Sequence, residues 1–441
     1  MASCAFDATP YVASEPLGPR RVSAMAARLV GSEILKIASE IRALVAKGFP
    51  VCNLTVGDFE PRHFPIPELL KSAIAKAYDE GQTNYPPSNG MPELREAIQR
   101  FYERELGLRY PLESILVASG ARPVIYGVYR AIVDRGDRVL FPVPSWNNNH
   151  YTTMVDGEAV TIPCSPEHRF FPTREQIEAF LPEARLVCIN TPLNPSGTAI
   201  SEEMLGGISE AIVRENERRR ACGERPVFLM YDQVYWMLTA PHTRHLVPPR
   251  LVPEVARYTI FVDGISKAFA ATGLRVGWAV GPADVIERMS AILGHVGAWA
   301  PRPEQVAVAA FLDQPDSYRS YLEGFRRKLS LRLEALDRGF RELKAQGHPV
   351  DSLGPEGAIY LTVRVFPFGK RTPKGEVLSS NEAIRRYLLE GAGIGVVPFQ
   401  AFGYPGDSGW FRLSVGAVSL REIEEALPRL EEALRVLEPA D

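Results

Sequence analysis

The sequence has little cysteine and no dominant charge. Its five cysteines (Cys4, Cys52, Cys164, Cys188 and Cys222) include no C-x-x-C pair and are odd in number. This speaks against a disulfide framework and fits a reducing compartment. Cys188 sits in the apolar run "LVCIN", where packing is the expected role. The net charge is −3 over 441 residues, which excludes a broad basic surface for nucleic acid or an anionic membrane. No apolar stretch reaches the roughly 20 residues that a membrane-spanning helix needs. The segment "MASCAFDATPYVASEPLGPRR" lacks an apolar core of signal-peptide length. There is no internal repeat or low-complexity tract, and no metal-ligand set. These absences point to a soluble, cytoplasmic protein.

What is present is a normal globular composition, 46% hydrophobic and 23% charged, in a chain long enough for two domains. Residues 1–31 read as an irregular arm. "SEILKIASEIRALVAKG" then carries Ile34, Ile37, Ile41, Leu44 and Val45 on one helical face, with Ser32 as a cap. A second amphipathic helix follows Pro92, with Leu94, Ile98, Phe101 and Tyr102 on its apolar face. Seven apolar runs read as strands: "SILVAS", "DRVLFPVP", "EAVTIP", "RLVCINTP", "PVFLMYDQ", "YTIFVDGIS" and "VGWAVGP". Helical patterns lie between several of them, so the fold class is α/β, with a mainly parallel seven-stranded sheet flanked by helices. A long helix from Ser317 to Lys344, the strands "AIYLTVRV", "IGVVPF" and "FRLSVGAV", and two more helices predict a smaller α+β domain. The expected division is an arm plus part of the small domain at 1–60, the large domain at 61–325 and the small C-terminal domain at 326–441.

Polar residues collect just after the apolar runs. They are Gly120, Ala121 and Arg122; Ser145 and Trp146; Asn190 and Asn194; Asp232 and Tyr235; and Ser266 and Lys267, with Arg275 beyond. In a parallel sheet these ends meet on one rim, where ligands bind. Together they suit an anionic, planar, aromatic aldehyde. A lysine among apolar residues and other cations becomes a usable amine. A buried carboxylate holds a ring nitrogen protonated. An arginine forks onto a phosphate, and the small residues Ala270, Ala271 and Gly273 let backbone N–H groups approach it.

The segments "SKAFAATGLRVGW", "NPSGT", "YDQVY", "TNYPPSNGMPELREAI", "VASGAR", "PSWNNNH" and "FRLSVG" resemble, in order, those of the class I/II pyridoxal-phosphate aminotransferases of the aspartate-aminotransferase fold, fold type I. The resemblance spans roughly residues 25–430. It implies pyridoxal 5'-phosphate as cofactor and Lys267 as the Schiff-base lysine. Asp232 is implied to hold the pyridine nitrogen, and Tyr235 and Asn194 the ring oxygen. Arg275, Ser266, Gly120 and Ala121 fall on phosphate ligands, and Trp146 on the residue that covers the ring face. Tyr85 matches a tyrosine that reaches the phosphate of a partner subunit, which implies a homodimer with shared sites. Arg412 matches the arginine for the substrate α-carboxylate, with Gly57 nearby. Four positions depart from the common pattern: Gly264 in place of a serine, Leu193 in place of an asparagine, Gln233 in place of a glutamate, and "VGDFEP" in place of "GEPDF". The glycine leaves the phosphate one hydroxyl short on this reading.

The implied activity is amino-group transfer between an L-amino acid and a 2-oxo acid by a ping-pong mechanism. Arg122 occupies a position where one branch holds a lysine for the distal carboxylate of aspartate or glutamate. His295 lies near another branch's distal arginine, with a packing histidine as the alternative. An acidic substrate is therefore expected. Trp146, Trp236, Trp299 and Tyr360 leave open an aromatic, thioether or small neutral substrate. A lyase or synthase on the same scaffold is the nearest rival. A cofactor-binding regulator is a weaker one, because the arm carries no helix-turn-helix pattern.

Overall fold

In this computed structural model the described residues are 7–12, 22–29, 31 and 33–439. Cys4 and the Ser32 cap lie outside the described residues. Within the arm, two short helices, Thr9–Val12 and Ala24–Arg28, replace part of the irregular structure expected there.

The seven apolar runs form one sheet: β1 (Ile115–Ala118), β2 (Arg138–Val143), β3 (Glu158–Pro163), β4 (Ala184–Asn190), β5 (Phe228–Asp232), β6 (Thr259–Gly264) and β7 (Gly277–Val280). Their order is β1-β7-β6-β5-β4-β2-β3. The pairs β2–β3, β2–β4, β4–β5 and β5–β6 are parallel. β7 runs antiparallel to both its neighbours. Both faces are covered, as an apolar parallel sheet requires. Leu116, Ala118, Leu186, Cys188 and Val262 pack under helices Ala121–Ile132 and Ala283–Val296. The alternate residues Ile115, Val117, Val187, Ile189 and Phe261 join the core on the other face. This two-residue alternation assigns each side chain to a layer. It leaves the C-terminal ends of β1, β2, β4, β5 and β6 at one edge.

The smaller layer is an antiparallel sheet of β8 (Val350–Leu353), β9 (Tyr360–Val365), β10 (Val397–Pro398) and β11 (Trp410–Ser414), in the order β10-β11-β9-β8. Helices Pro315–Ala345, Asn381–Ala392 and Leu420–Arg435 accompany it. The last of these opens on a capping box of Ser419 and Glu422. The run "IGVVPF" is not one strand. Ile394–Gly395 pairs in parallel with Cys52–Asn53, and β10 begins after Val396. That pairing brings the segment before Gly57 beside the C-terminal third. Helix Glu33–Ala46 buries Ile37 and Ile41, but Val45, on its last turn, is 52% exposed rather than part of the buried face. No helix among the described residues is long and apolar enough to cross a membrane.

Candidate active site

The expected strand ends surround one cavity of about 690 Å³. Ala121 and Arg122 enter it after β1, Trp146 after β2, Asn190 at the end of β4 and Asn194 beyond it, and Asp232 at the end of β5 with Tyr235 beyond it. Ser266, Lys267 and Arg275 enter between β6 and β7. Arg412 on β11, Tyr360 on β9, and Gly57 and Asp58 close it from the other side. A larger groove of about 1090 Å³, between Leu238–Thr243 and helix Pro315–Ala345, holds none of the expected residues.

The cavity depresses one amine and raises one acid. Lys267 donates its Nζ to the Gly57 carbonyl at 2.6 Å. Burial lowers its pKa to about 8, with Arg412, Arg122 and Arg275 pushing the same way and Asp58 opposing. Burial raises the Asp232 carboxyl to about 7, against the Val234 N–H, which donates to its Oδ1 at 3.2 Å, and against the Lys267 charge. Asn190 fixes the neighbouring backbone. Its Nδ2 donates to the Asp232 carbonyl at 2.9 Å, and its Oδ1 accepts the Asn194 N–H at 2.8 Å.

An uncapped helix start and a guanidinium lie beside this pair. Helix Ala121–Ile132 starts after Gly120, whose φ of 93° suits glycine, and no side chain caps its first N–H groups. A Cβ on Gly120 would stand 2.4 Å from Arg275 Nη2. Arg275 in turn donates Nη1 to Thr272 O at 2.7 Å and Nη2 to Ser119 O at 3.0 Å. Gly264 has a packing cause. A Cβ there would lie 2.8 Å from both Gly277 Cα and the Val276 carbonyl, where β6 pairs with β7. The position faces backbone, so its glycine serves strand packing and is not simply a missing hydroxyl.

Gln233 and Leu193 also have structural reasons. Gln233 turns away from the cavity into a buried network. Its Nε2 donates to Tyr102 Oη at 3.3 Å and to Asp263 Oδ2 at 3.4 Å, and Trp236 Nε1 donates to the same oxygen at 2.9 Å. Burial already raises the Asp263 carboxyl to about 7, so a second acid at 233 would meet a like charge. Leu193 is buried in the core.

Arg412 is buried on β11. It donates Nη2 to Thr55 O at 2.6 Å and Nη1 to Asn194 Oδ1 at 3.1 Å, while its buried Nε has no partner. Its guanidinium lies 4.7 Å from the Tyr360 ring centre. Arg122 stacks on Trp146, 4.8 Å from the ring centre.

Other expected residues lie elsewhere. Tyr85 is 81% exposed and sits edge-on to Trp299, outside the cavity of its own chain. His295 is exposed on the last turn of helix Ala283–Val296, so within its own chain it is neither a packing histidine nor a cavity residue. Trp236 belongs to the buried Asp263 network and Trp299 packs on Tyr85, so only Trp146 and Tyr360 of the four aromatics line the cavity. Six lining residues were not expected from the sequence: the polar Asp58, Asn147 and Thr272 and the apolar Ile34, Ile125 and Val234. Asp58 had a signal, a carboxylate directly after Gly57 in the divergent "VGDFEP". Ile34 had none beyond its place at the front of a helix.

Residues 50–430 match the family model described as aminotransferase class I and II. The chain belongs to that family, and it is a transaminase. It is 34% identical over 411 residues to an aspartate aminotransferase of Rhizobium meliloti (strain 1021), covering 91% of this chain and 93% of the relative. It is 31% identical over 408 residues to a probable aspartate/prephenate aminotransferase of Rickettsia felis, covering 91% and 93%. Among solved structures, the Rhizobium meliloti aspartate aminotransferase superposes with a TM-score of 0.85 at 32% identity, covering 95% of this chain and all of that one. The Thermus thermophilus aspartate aminotransferase with maleate gives 0.82 at 27% identity, covering 94% and 100%. The family implies pyridoxal phosphate, and the cavity fits it chemically. It offers a depressed amine, a buried carboxylate that Lys267 opposes electrostatically, an uncapped helix start beside Arg275, and an orphaned Arg412 Nε.

Proposed function

We propose that this aminotransferase is pyridoxal-phosphate-dependent and prefers an acidic L-amino acid, aspartate or glutamate, with a 2-oxo acid as second substrate. The observation that carries this reading is that Lys267 and Arg412 reach one cavity from different sheets, with the Lys267 amine lowered to about 8. When bound, pyridoxal phosphate supplies an aldehyde that condenses with amines and a ring that accepts the electron pair left at the substrate α-carbon.

The protein's residues divide the remaining work. Lys267 Nζ, uncharged for a useful fraction of the time near neutral pH, takes the α-proton and returns it. Asp232 holds the ring nitrogen's proton. A bound cation beside that carboxylate favours its ionised form, reversing the rise that burial imposes. Tyr235 and Asn194 hydrogen-bond the ring oxygen. Arg275, Ser266 and the N–H groups at Gly120 and Ala121 hold the phosphate, and Trp146 covers the ring face. Arg412, with Gly57 beside it, grips the α-carboxylate through its free Nε. Arg122 takes the distal carboxylate. Tyr85, exposed on the surface, completes the phosphate site of a partner subunit in a homodimer. His295 on the same surface stands as a substrate contact only by that route. The aspartate names of the relatives support the acidic substrate, and buried free thiols at Cys52, Cys164 and Cys188 support a cytoplasmic setting. Trp146 and Tyr360 on the cavity wall favour an aromatic or neutral amino acid as the second reading.

Single amino acids added to the cofactor-loaded protein test this, with the cofactor absorbance as readout. Aspartate or glutamate is expected to convert the cofactor to its amine form faster than alanine or phenylalanine. Release of pyruvate and ammonia instead would identify a lyase. An unchanged spectrum in Lys267→Ala would remove the central assignment.

A further inference from the structure

The Tyr235 hydroxyl already has a protein partner. Its oxygen lies 2.7 Å from that of Tyr360, and the two rings meet edge to face with centres 5.5 Å apart. Tyr235 is 3% exposed and Tyr360 1%. Tyr360 comes from β9 of the small sheet, and Tyr235 follows β5 of the large one. Two neutral phenols share one hydrogen bond, so one donates and the other accepts. Whichever accepts keeps its own proton for another partner.

The surroundings decide the direction. The Arg412 guanidinium stands 4.7 Å over the Tyr360 ring. A cation on a phenol's face makes that phenol the stronger donor. Burial holds both phenols protonated, and Arg412 opposes that rise in Tyr360 more directly than in Tyr235. The other charges nearby are Asp232 beside Tyr235, Asp58 beside Tyr360, and Lys267 with its Nζ 5.8 Å from the Tyr235 ring centre. The backbone locks Tyr360 in place. Gly197, with a φ of 71°, passes so close that a Cβ would stand 2.1 Å from the Tyr360 carbonyl, and a Cβ on Gly57 would stand 3.0 Å from its hydroxyl.

We propose that Tyr360 is a positioning residue for Tyr235, donating its hydroxyl proton to the Tyr235 oxygen so that the Tyr235 proton points into the cavity. The inference rests on the reading above, in which the Tyr235 proton meets the ring oxygen of pyridoxal phosphate. Accepting a bond makes Tyr235 a better donor, because hydrogen bonds in a chain polarise one another. A carboxylate arriving at Arg412 neutralises the charge that biases Tyr360, so occupancy there is passed to Tyr235 without direct contact.

The test is a spectrophotometric pH titration of the cofactor in the loaded enzyme, together with its displacement by maleate. In Tyr360→Phe the titration midpoint is expected to rise by about half a pH unit, the share of one modest hydrogen bond. In Tyr235→Phe it should rise further. The double variant should titrate like Tyr235→Phe alone, because Tyr360 acts only through Tyr235. The maleate-induced displacement should shrink in Tyr360→Phe. If Tyr360→Phe takes up no cofactor, Gly57→Ala, which crowds the Tyr360 hydroxyl, should give the same upward shift. A midpoint equal to the native one in the variant that loads overturns the proposal, as do additive shifts in the double variant. If the native protein shows no pH-dependent absorbance that Lys267→Ala abolishes, the cofactor reading itself fails and this inference falls with it.

Discussion

Arg412 Nη1 donates to Asn194 Oδ1 at 3.1 Å, joining β11 of the small sheet to the loop after β4 of the large one inside the cavity. The same guanidinium holds Thr55 O through Nη2, which leaves a buried Nε with no partner. A buried guanidinium fixed on two sides with its Nε unpartnered has donor capacity left for a ligand, as the proposed α-carboxylate role requires. Its position is set by β11 and by its two hydrogen bonds.

Arg412→Lys is therefore expected to damage binding of every amino acid alike. A lysine keeps the charge but loses the fork that engages Asn194, Thr55 and a carboxylate together. KM should rise by at least roughly 30-fold for aspartate and alanine both, the scale of breaking a buried charge pair. Steady-state kinetics with the two donors check it. A variant affected only for aspartate would move the α-carboxylate role elsewhere.

Arg122→Ala should separate the same two donors. Arg122 lies on the exposed side of the cavity, stacked on Trp146. Its loss should raise KM for aspartate by about tenfold, the worth of a partly solvated charged contact, and leave alanine within about twofold. Equal losses for both donors would show that Arg122 positions Trp146 and does not choose the substrate.

Much of this site could be read from the chain because strand ends carry it. The apolar runs before Gly120, Asn190, Asp232 and Ser266 mark strands, and a parallel sheet brings their ends together whatever the details of packing. What escaped were relations across long separations. The Tyr235–Tyr360 bond joins residues 125 apart, and no local pattern marks it. Gly264 read as a lost hydroxyl because its neighbour Gly277 is fixed only by the β6–β7 register. Trp236 and Trp299 were plausible cavity residues by type, but burial in the Asp263 network and packing on Tyr85 took them away. Composition names aromatic side chains without saying which layer they face.

Asp232 and Lys267 predict opposite pH effects in the cofactor-free protein. The folded Asp232 carboxyl is raised to about 7 from an unfolded value of 3.8, so its protonated form stabilises the fold. That contribution is complete below about 4 and is lost as pH rises through 7. Asp232→Asn should therefore melt higher than the native apoprotein at pH 8, by on the order of 2 °C or more, with the gap closing below pH 5. For Lys267 the folded value is lowered to about 8 from 10.5. Its neutral form stabilises the fold at high pH, and that contribution is lost as pH falls through 8. An amine-reactive reagent should accordingly label Lys267 in the apoprotein with a half-maximal rate near pH 8. Labelling that follows an ordinary lysine, with a midpoint near 10.5, would contradict the depressed amine.

Gly264→Ser is the sharpest test of the proposed phosphate site. If the glycine marked a missing ligand, a serine would tighten cofactor binding. The packing predicts the reverse. The new Cβ would press within 2.8 Å of Gly277 Cα and the Val276 carbonyl, atoms that belong to a paired strand and have no rotamer to change. Forcing β6 away from β7 should cost about 1–3 kcal/mol of stability, as overpacking does. The same shift would move Ser266 and Lys267, two and three residues further along, so cofactor affinity should fall along with the melting temperature. Gly264→Ala separates the two effects. It carries the same Cβ without the hydroxyl, and should lose as much of both. A serine variant that binds cofactor more tightly than the alanine variant at equal stability would show that the hydroxyl finds the phosphate after all.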